Sequence, residues 1–169
     1  KPTMSGLGIQ TAHPIEIFRD ACGPLVDVRS PSEFAKGHFP GATNIPIFDD
    51  LERAAIGLTY KQKGREKAIL QGLEFTGPKL HSLGNMLQKL KPIKNTNSEN
   101  DLNTTLRIYC WRGGMRSASV SWLADLLDLN PLLLKGGYKS YRQWTLRQFE
   151  HKWPLKLIGG RTGTGKTDI

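Results

Sequence analysis

One stretch restricts the fold more than any other: Cys110-Trp111-Arg112-Gly113-Gly114-Met115-Arg116-Ser117, a cysteine followed by a loop that carries two glycines and two arginines. Upstream, Leu106-Arg107-Ile108-Tyr109 is short, apolar and β-prone. Downstream, Val120, Leu123, Ala124 and Leu127 recur at helical spacing, which predicts a helix from Ser117 through Leu127. A strand that runs through a glycine loop straight into a helix is the repeating unit of an open, mostly parallel α/β sheet. In such sheets ligands bind beyond the carboxyl ends of the strands, and Cys110 lies at such an end.

The same order of elements has a chemical consequence. Free backbone N–H groups of the loop and of the first helical turn point into one concavity, and the helix dipole adds positive character. Trp111, Arg112, Gly113, Gly114, Met115 and Arg116 are therefore expected to form an anion cradle, with Cys110 at its rim as the nucleophile. The cradle suits a thiolate, a persulfide that the cysteine has received, or an oxyanion. The alternative is a buried core thiol at a strand end, which the glycines and arginines argue against. Cys22, in Ala21-Cys22-Gly23-Pro24, has no such surroundings and reads as structural or, at most, as a resolving thiol. Two cysteines make no disulfide framework, and no paired Cys and His spacing suggests zinc, so no metal site is expected and a reducing, cytoplasmic setting fits.

The remaining pattern supports the α/β reading. Leu25-Val26-Asp27-Val28 is a nearly continuous apolar strand, and Ser30-Pro31-Ser32-Glu33 has capping-box spacing with proline at the first helical position, so a helix runs from Pro31 to about Lys36. Gly37-His38-Phe39-Pro40-Gly41 is a turn, followed by a short strand at Ala42-Thr43-Asn44-Ile45. His38 in that turn satisfies a backbone carbonyl more readily than it serves as a base. Helices are predicted from Asp49 to about Gly57, from Pro78 to Leu90 and from Tyr138 to Phe149, a polar surface loop over Lys91 to Asn103, and a last strand at Pro131-Leu132-Leu133-Leu134-Lys135.

Composition matters here mainly through charge. With 38% hydrophobic residues the chain is globular, no apolar run approaches bilayer length, and no secretory signal is visible. A formal net charge of +9 favours a polyanionic partner, of which nucleic acid is the usual one. Candidate contacts are Lys61, Lys63 and Arg65 in Tyr60-Lys61-Gln62-Lys63-Gly64-Arg65-Glu66-Lys67, with Lys139 and Arg142 on the last helix. From the residues alone a solvated helix terminus is the better reading of the first group, whereas on the last helix packing of Tyr141 and Trp144 beside a solvated basic face accounts for the pattern as well as a nucleic-acid contact does.

Near the end, Lys156-Leu157-Ile158-Gly159 leads as a strand into Gly160-Arg161-Thr162-Gly163-Thr164-Gly165-Lys166-Thr167, a full match to the phosphate-binding P-loop. Gly160, Gly163 and Gly165 would let the backbone wrap a diphosphate, Lys166 would reach its outer oxygens and Thr167 would bind magnesium. The sequence stops at Ile169, before the helix that such a loop opens. The expected organisation is one domain over residues 1–152, with 153–169 as the severed first strand and P-loop of a second.

Leu25 to Phe34, Gly37 to Ala42 and Asn44-Ile45-Pro46, together with the cysteine loop, resemble the motifs of a rhodanese domain, which transfers sulfur as a cysteine persulfide. With Tyr60 to Glu66, Gly136-Gly137-Tyr138-Lys139 and a following P-loop, the chain more narrowly resembles the bacterial tRNA 2-selenouridine synthase family. That resemblance implies a rhodanese-like fold with helices on both faces of a mostly parallel sheet. It also implies a transferase with tRNA as substrate, in which selenium from selenophosphate replaces the sulfur of wobble 2-thiouridine through a geranylated intermediate made from geranyl diphosphate. Cys110 would be the nucleophile and carrier, no cofactor would be tightly held, and a selenophosphate-producing enzyme would be a partner. A generic sulfurtransferase and a non-catalytic rhodanese-like module are the plainer alternatives. The five residues between Cys110 and Arg116 raise a third, since that spacing is the one found in cysteine phosphatases, although Tyr109 stands where those enzymes have histidine.

Overall fold

The structure is a computed structural model that describes residues 12–21, 23–90 and 105–150 and the isolated positions 152, 154 and 159. Cys22, the loop expected over Lys91 to Asn103, and the P-loop residues Gly160, Gly163, Gly165, Lys166 and Thr167 lie outside the described residues.

Five strands form one sheet: β1 (Ala12–His13), β2 (Leu25–Asp27), β3 (Thr43–Asn44), β4 (Leu106–Tyr109) and β5 (Pro131–Leu134), in the order β1-β5-β4-β2-β3. Every pairing is parallel, with Val26 opposite Ile108 and Ile108 opposite Leu133. The central strand, β4, delivers Cys110 at its carboxyl end. Strands covered on both faces need apolar side chains on both, which explains why 131–134 reads as a continuous apolar run and 25–28 as one interrupted only by Asp27.

Side chains alternate between two cores. Val26, Val28, Leu106, Ile108 and Cys110 face Leu83 and Leu87 of α4 (Leu80–Lys89), Val120 and Ala124 of α5 (Met115–Leu126), and the partly buried Ile56 and Phe75 of α3 (Asp50–Thr76). Leu25, Tyr109, Leu132 and Leu134 face Ile15 and Phe18 of α1 (Ile15–Asp20) and Tyr138, Tyr141 and Trp144 of α6 (Gly137–Glu150). Tyr138, Tyr141 and Trp144 therefore pack, while Phe149, Lys139, Arg142 and Arg147 are exposed. The short α2 (Pro31–Ala35) starts at its Ser30 cap as its sequence predicts.

Three expectations need correction. The helix expected to stop near Gly57 continues to Thr76 and is interrupted only at Gly64, whose φ of 83° and ψ of 179° suit glycine alone. Its start is specified by reciprocal capping, with Asp49 accepting from the Glu52 N–H at 2.8 Å and Glu52 accepting from the Asp49 N–H at 3.0 Å. Second, α5 begins at Met115 rather than Ser117, so Met115 and Arg116 belong to its first turn and Gly114 caps it. Third, β1 and α1 went unrecognised, because two strand residues and six helical ones are too few to show a period.

Candidate active site

The loop after β4 is shaped by close backbone contacts. Gly113 has φ 65°, and a Cβ there would lie 2.6 Å from the Leu134 carbonyl oxygen. At the start of α6, the Tyr138 N–H donates to the Cys110 carbonyl at 2.8 Å and the Lys139 N–H to the Trp111 carbonyl at 3.0 Å. Two of the N–H groups that a helix start leaves free are thus spent on holding the loop.

Within that frame the thiol is 3% exposed. The Gly114 N–H donates to Cys110 Sγ at 3.3 Å, and Ser117 Oγ lies 3.2 Å from the sulfur and 3.0 Å from the Gly114 carbonyl. A hydroxyl can rotate, so Ser117 accepts from a thiol while donating to Gly114, or donates to a thiolate. Sequence reasoning placed Ser117 only as a helix start. Its position, one helical turn after the N-cap, was the available signal.

Cys110 sits at the floor of a cleft of about 1170 Å³ walled by α2, the first half of α3, the loop and the start of α6. Lys36, Arg53, Lys61, Arg112, Arg116 and Arg142 line it, opposed by the Glu33 carboxylate. Of the expected polyanion contacts, Lys61 and Arg142 reach this cleft with the thiol. Lys63 is exposed just before the Gly64 break, Lys139 is exposed on α6, and Arg65 turns to the other side, its Nη2 3.9 Å from Met115 Sδ. Among the described residues no three His, Cys, Asp or Glu side chains gather as metal ligands.

The two loop arginines have different roles. Arg112 is exposed on the cleft wall, whereas Arg116 donates to both oxygens of Glu33, at 2.6 and 3.3 Å. Arg53 Nε lies 3.7 Å from the same carboxylate. Burial alone raises the pKa of Glu33, but the Arg116 hydrogen bond and charge outweigh it, with help from the Ser30 N–H and Arg53, and hold the carboxyl below its usual 4.5. The resulting stabilisation is fully present above pH 4.5 and is lost as the pH falls through the depressed folded value. Glu33→Gln should lower stability by about 1–2 kcal/mol at pH 7, and the difference should shrink progressively as the pH falls below 4.5, as read from urea midpoints. A pH-independent difference would sink this assignment.

Beneath the cleft lies an ion pair that sequence reading missed. Arg29, 1% exposed, donates through Nε to both Asp27 oxygens at 2.9 Å and through Nη2 to the Gly37 carbonyl at 2.8 Å, and its guanidinium lies 4.2 Å from the Tyr138 ring centroid. Burial lowers its pKa and Asp27 more than compensates, so the net shift is upward. Tyr109 accepts from the Phe39 N–H at 3.2 Å, and burial, reinforced by Asp27, pushes its phenol well above its normal value. Asp27 and Arg29 are two residues apart on one side of an extended chain, a spacing that could have revealed the pair. His38 Nδ1 lies 3.0 Å from the Phe34 carbonyl and its ring stacks on Phe34, so it is structural, as expected.

A parallel sheet with a cysteine at the end of its central strand, held by the N–H groups of a helix-opening loop, is the arrangement that the opening motifs suggested. The family described as Rhodanese-like domain matches residues 15–143. The chain belongs to that family. Among curated relatives, the tRNA 2-selenouridine synthase of Nitrosomonas europaea is 41% identical over 150 residues, covering 86% of this chain and 37% of that protein. The enzyme of the same name from Pseudomonas putida strain GB-1 is 39% identical over 150 residues, again covering 86% of this chain and 38% of that protein. This rhodanese-like chain therefore spans less than two-fifths of the length of these relatives. Among solved structures, the N-terminal domain of a Clostridium difficile 630 protein, provisionally named as ATP/GTP binding, superposes with a TM-score of 0.70 at 33% identity, covering 80% of this chain and 99% of that one. Among the described residues no helix is long and apolar enough to cross a membrane.

Proposed function

We propose that this chain is the rhodanese-like part of an enzyme that replaces the sulfur of wobble 2-thiouridine in tRNA by selenium, with Cys110 as nucleophile and carrier. The observation that carries the reading is the placement of a single thiol, hydrogen-bonded by Gly114 and Ser117, at the floor of a cleft rich in cations. Such a cleft suits two anionic reactants, a nucleic acid and selenophosphate, the latter supplied by a selenophosphate-producing enzyme. The names and identities of the curated relatives support the tRNA part of the proposal. On the finer reading the base is first geranylated on sulfur from geranyl diphosphate. The Cys110 thiolate then adds to C2 and the C2–S bond breaks with loss of geranyl thiol; the selenium of selenophosphate displaces the Cys110 sulfur to form the C2–Se bond, and water cleaves the P–Se bond to release phosphate. No oxidant or reductant enters that exchange. The P-loop motif from Gly160 to Thr167 is assigned to the diphosphate, in a second domain that begins near residue 153.

The deciding experiment is mass spectrometry of 2-thiouridine tRNA incubated with a protein of the relatives' full length, geranyl diphosphate and selenophosphate. A selenated wobble base is expected, and an unchanged nucleoside overturns the reading. Binding of tRNA should weaken steeply with salt, and neutralising Lys61, Arg112 and Arg142 together should flatten the slope of log K against log salt by about 2–3. Salt-independent binding would count against the cleft as the tRNA site. The five-residue Cys110 to Arg116 loop keeps a phosphatase reading testable: hydrolysis of an aryl phosphate that disappears in Cys110→Ser would promote it.

A further inference from the structure

A second cavity adjoins the thiol cleft and has the opposite chemistry. It holds about 590 Å³ and is lined by α5, by α3 mainly beyond Gly64, and by Leu80 and Leu83 of α4. Its lining is dominated by aliphatic and aromatic side chains, among them Leu73 at 62% and Trp122 at 46% exposure, high values for residues of that size. Apolar area left open on this scale marks a binding surface more often than an accident of packing.

Two features say what the groove receives. Met115, Arg116, Ile56 and Tyr60 line both cavities, so the apolar groove opens directly onto the cleft that contains Cys110. At that junction Arg65 approaches Met115, whose flexible thioether forms the lip, and Arg116 stands beside it. One end is therefore cationic and next to a nucleophile, while the other is apolar. A ligand that fills both has a polar or anionic head and a linear aliphatic tail. The groove's volume is within the range usual for small-molecule sites. The break at Gly64 lets one helix serve both walls, with Tyr60 and Lys61 before it at the cleft and Ala68, Ile69 and Leu73 after it along the groove.

We infer that this groove holds the alkyl chain of an S-alkylated 2-thiouridine while the base lies against Cys110. The inference rests on the proposed reaction passing through a geranylated base. It assigns the recognition of the chain to the rhodanese-like part, rather than to the P-loop segment that would handle the diphosphate.

The test uses the 169-residue chain and three nucleosides, 2-thiouridine bearing methyl, butyl or geranyl on sulfur, titrated by calorimetry. Affinity should rise along the series, by about 30-fold or more from methyl to geranyl. Leu73→Asp and Ser119→Trp, both at exposed positions of the groove, should cut that ratio to about 3-fold or less and leave the methyl compound's affinity unchanged. A flat series, or a ratio that neither variant moves, overturns the assignment. So does a dimer in sedimentation that Leu73→Asp dissociates while the series stays flat, which would make the groove a protein interface. The two proposals fail separately. Unmodified tRNA with an intact chain-length series removes the selenium reaction and keeps the groove, whereas selenated tRNA with a flat series does the reverse.

Discussion

Cys110→Ser is expected to abolish group transfer, by about a thousandfold or more, and to leave the fold unchanged. Both halves follow from the geometry around the sulfur. A serine hydroxyl occupies nearly the same volume and can keep the contacts with the Gly114 N–H and Ser117 Oγ, so neither the loop nor α5 loses a partner. It cannot hold a transferred chalcogen, and it ionises far less readily than a thiol. Two measurements separate the halves. Intact mass after incubation with a sulfane-sulfur donor should show one added sulfur on the native chain and none on the variant, while the thermal melts should coincide. A variant that retains more than about a tenth of the transfer would remove Cys110 from the chemistry. A variant that fails to melt cooperatively would instead mean that the thiol is a packing element, the plain alternative for a residue 3% exposed.

What the sequence made legible depended on how far each feature reaches. The cysteine loop could be placed because strand, glycine turn and helix are consecutive, and Val120 and Ala124 mark the buried face of α5 within one short window. Capping explains why α2 and α3 begin where they do, since Ser30-Pro31 and Asp49-Glu52 are local signals. The partners of the site's charged groups were not legible in the same way. Glu33 reads as a capping residue, and that role is real, since it accepts from the Ser30 N–H at 3.3 Å. The same carboxylate also takes Arg116, which lies 83 residues away, and nothing in a linear pattern brings those two together. Arg116 is expected from the sequence as part of the anion cradle, and its guanidinium is instead engaged by Glu33 of α2. Arg65 was grouped with Lys61 and Lys63 as one basic run. The positive φ of Gly64 separates them, leaving Lys61 at the cleft and Arg65 at the apolar groove. Gly64 is in plain view in the sequence, but a glycine between lysines looks the same whether it breaks a helix or merely weakens one.

Gly137→Ala is expected to cost about 3 kcal/mol or more of stability. Its backbone sits at φ 59°, which an alanine tolerates poorly. The larger problem is space: a Cβ there would lie 2.2 Å from the Cys110 carbonyl oxygen, 2.6 Å from Gly113 N and 2.7 Å from Trp111 C. All three are backbone atoms, so no side-chain rotation relieves the overlap, and the loop and the start of α6 must move apart. That movement breaks the Tyr138 N–H to Cys110 carbonyl bond and the Lys139 N–H to Trp111 carbonyl bond, the two contacts that set the height of the thiol in its cleft. Transfer by whatever fraction remains folded should therefore fall as well, at temperatures well below the melt. Gly114→Ala is the matched control, because an added Cβ there meets nothing within 4 Å and the residue's φ is negative, at −102°. Urea unfolding should place Gly114→Ala within about 1 kcal/mol of the native chain and Gly137→Ala far below it. If the two variants unfold together, the loop is held by something other than its contact with α6, and the strand-end geometry proposed for Cys110 loses its support.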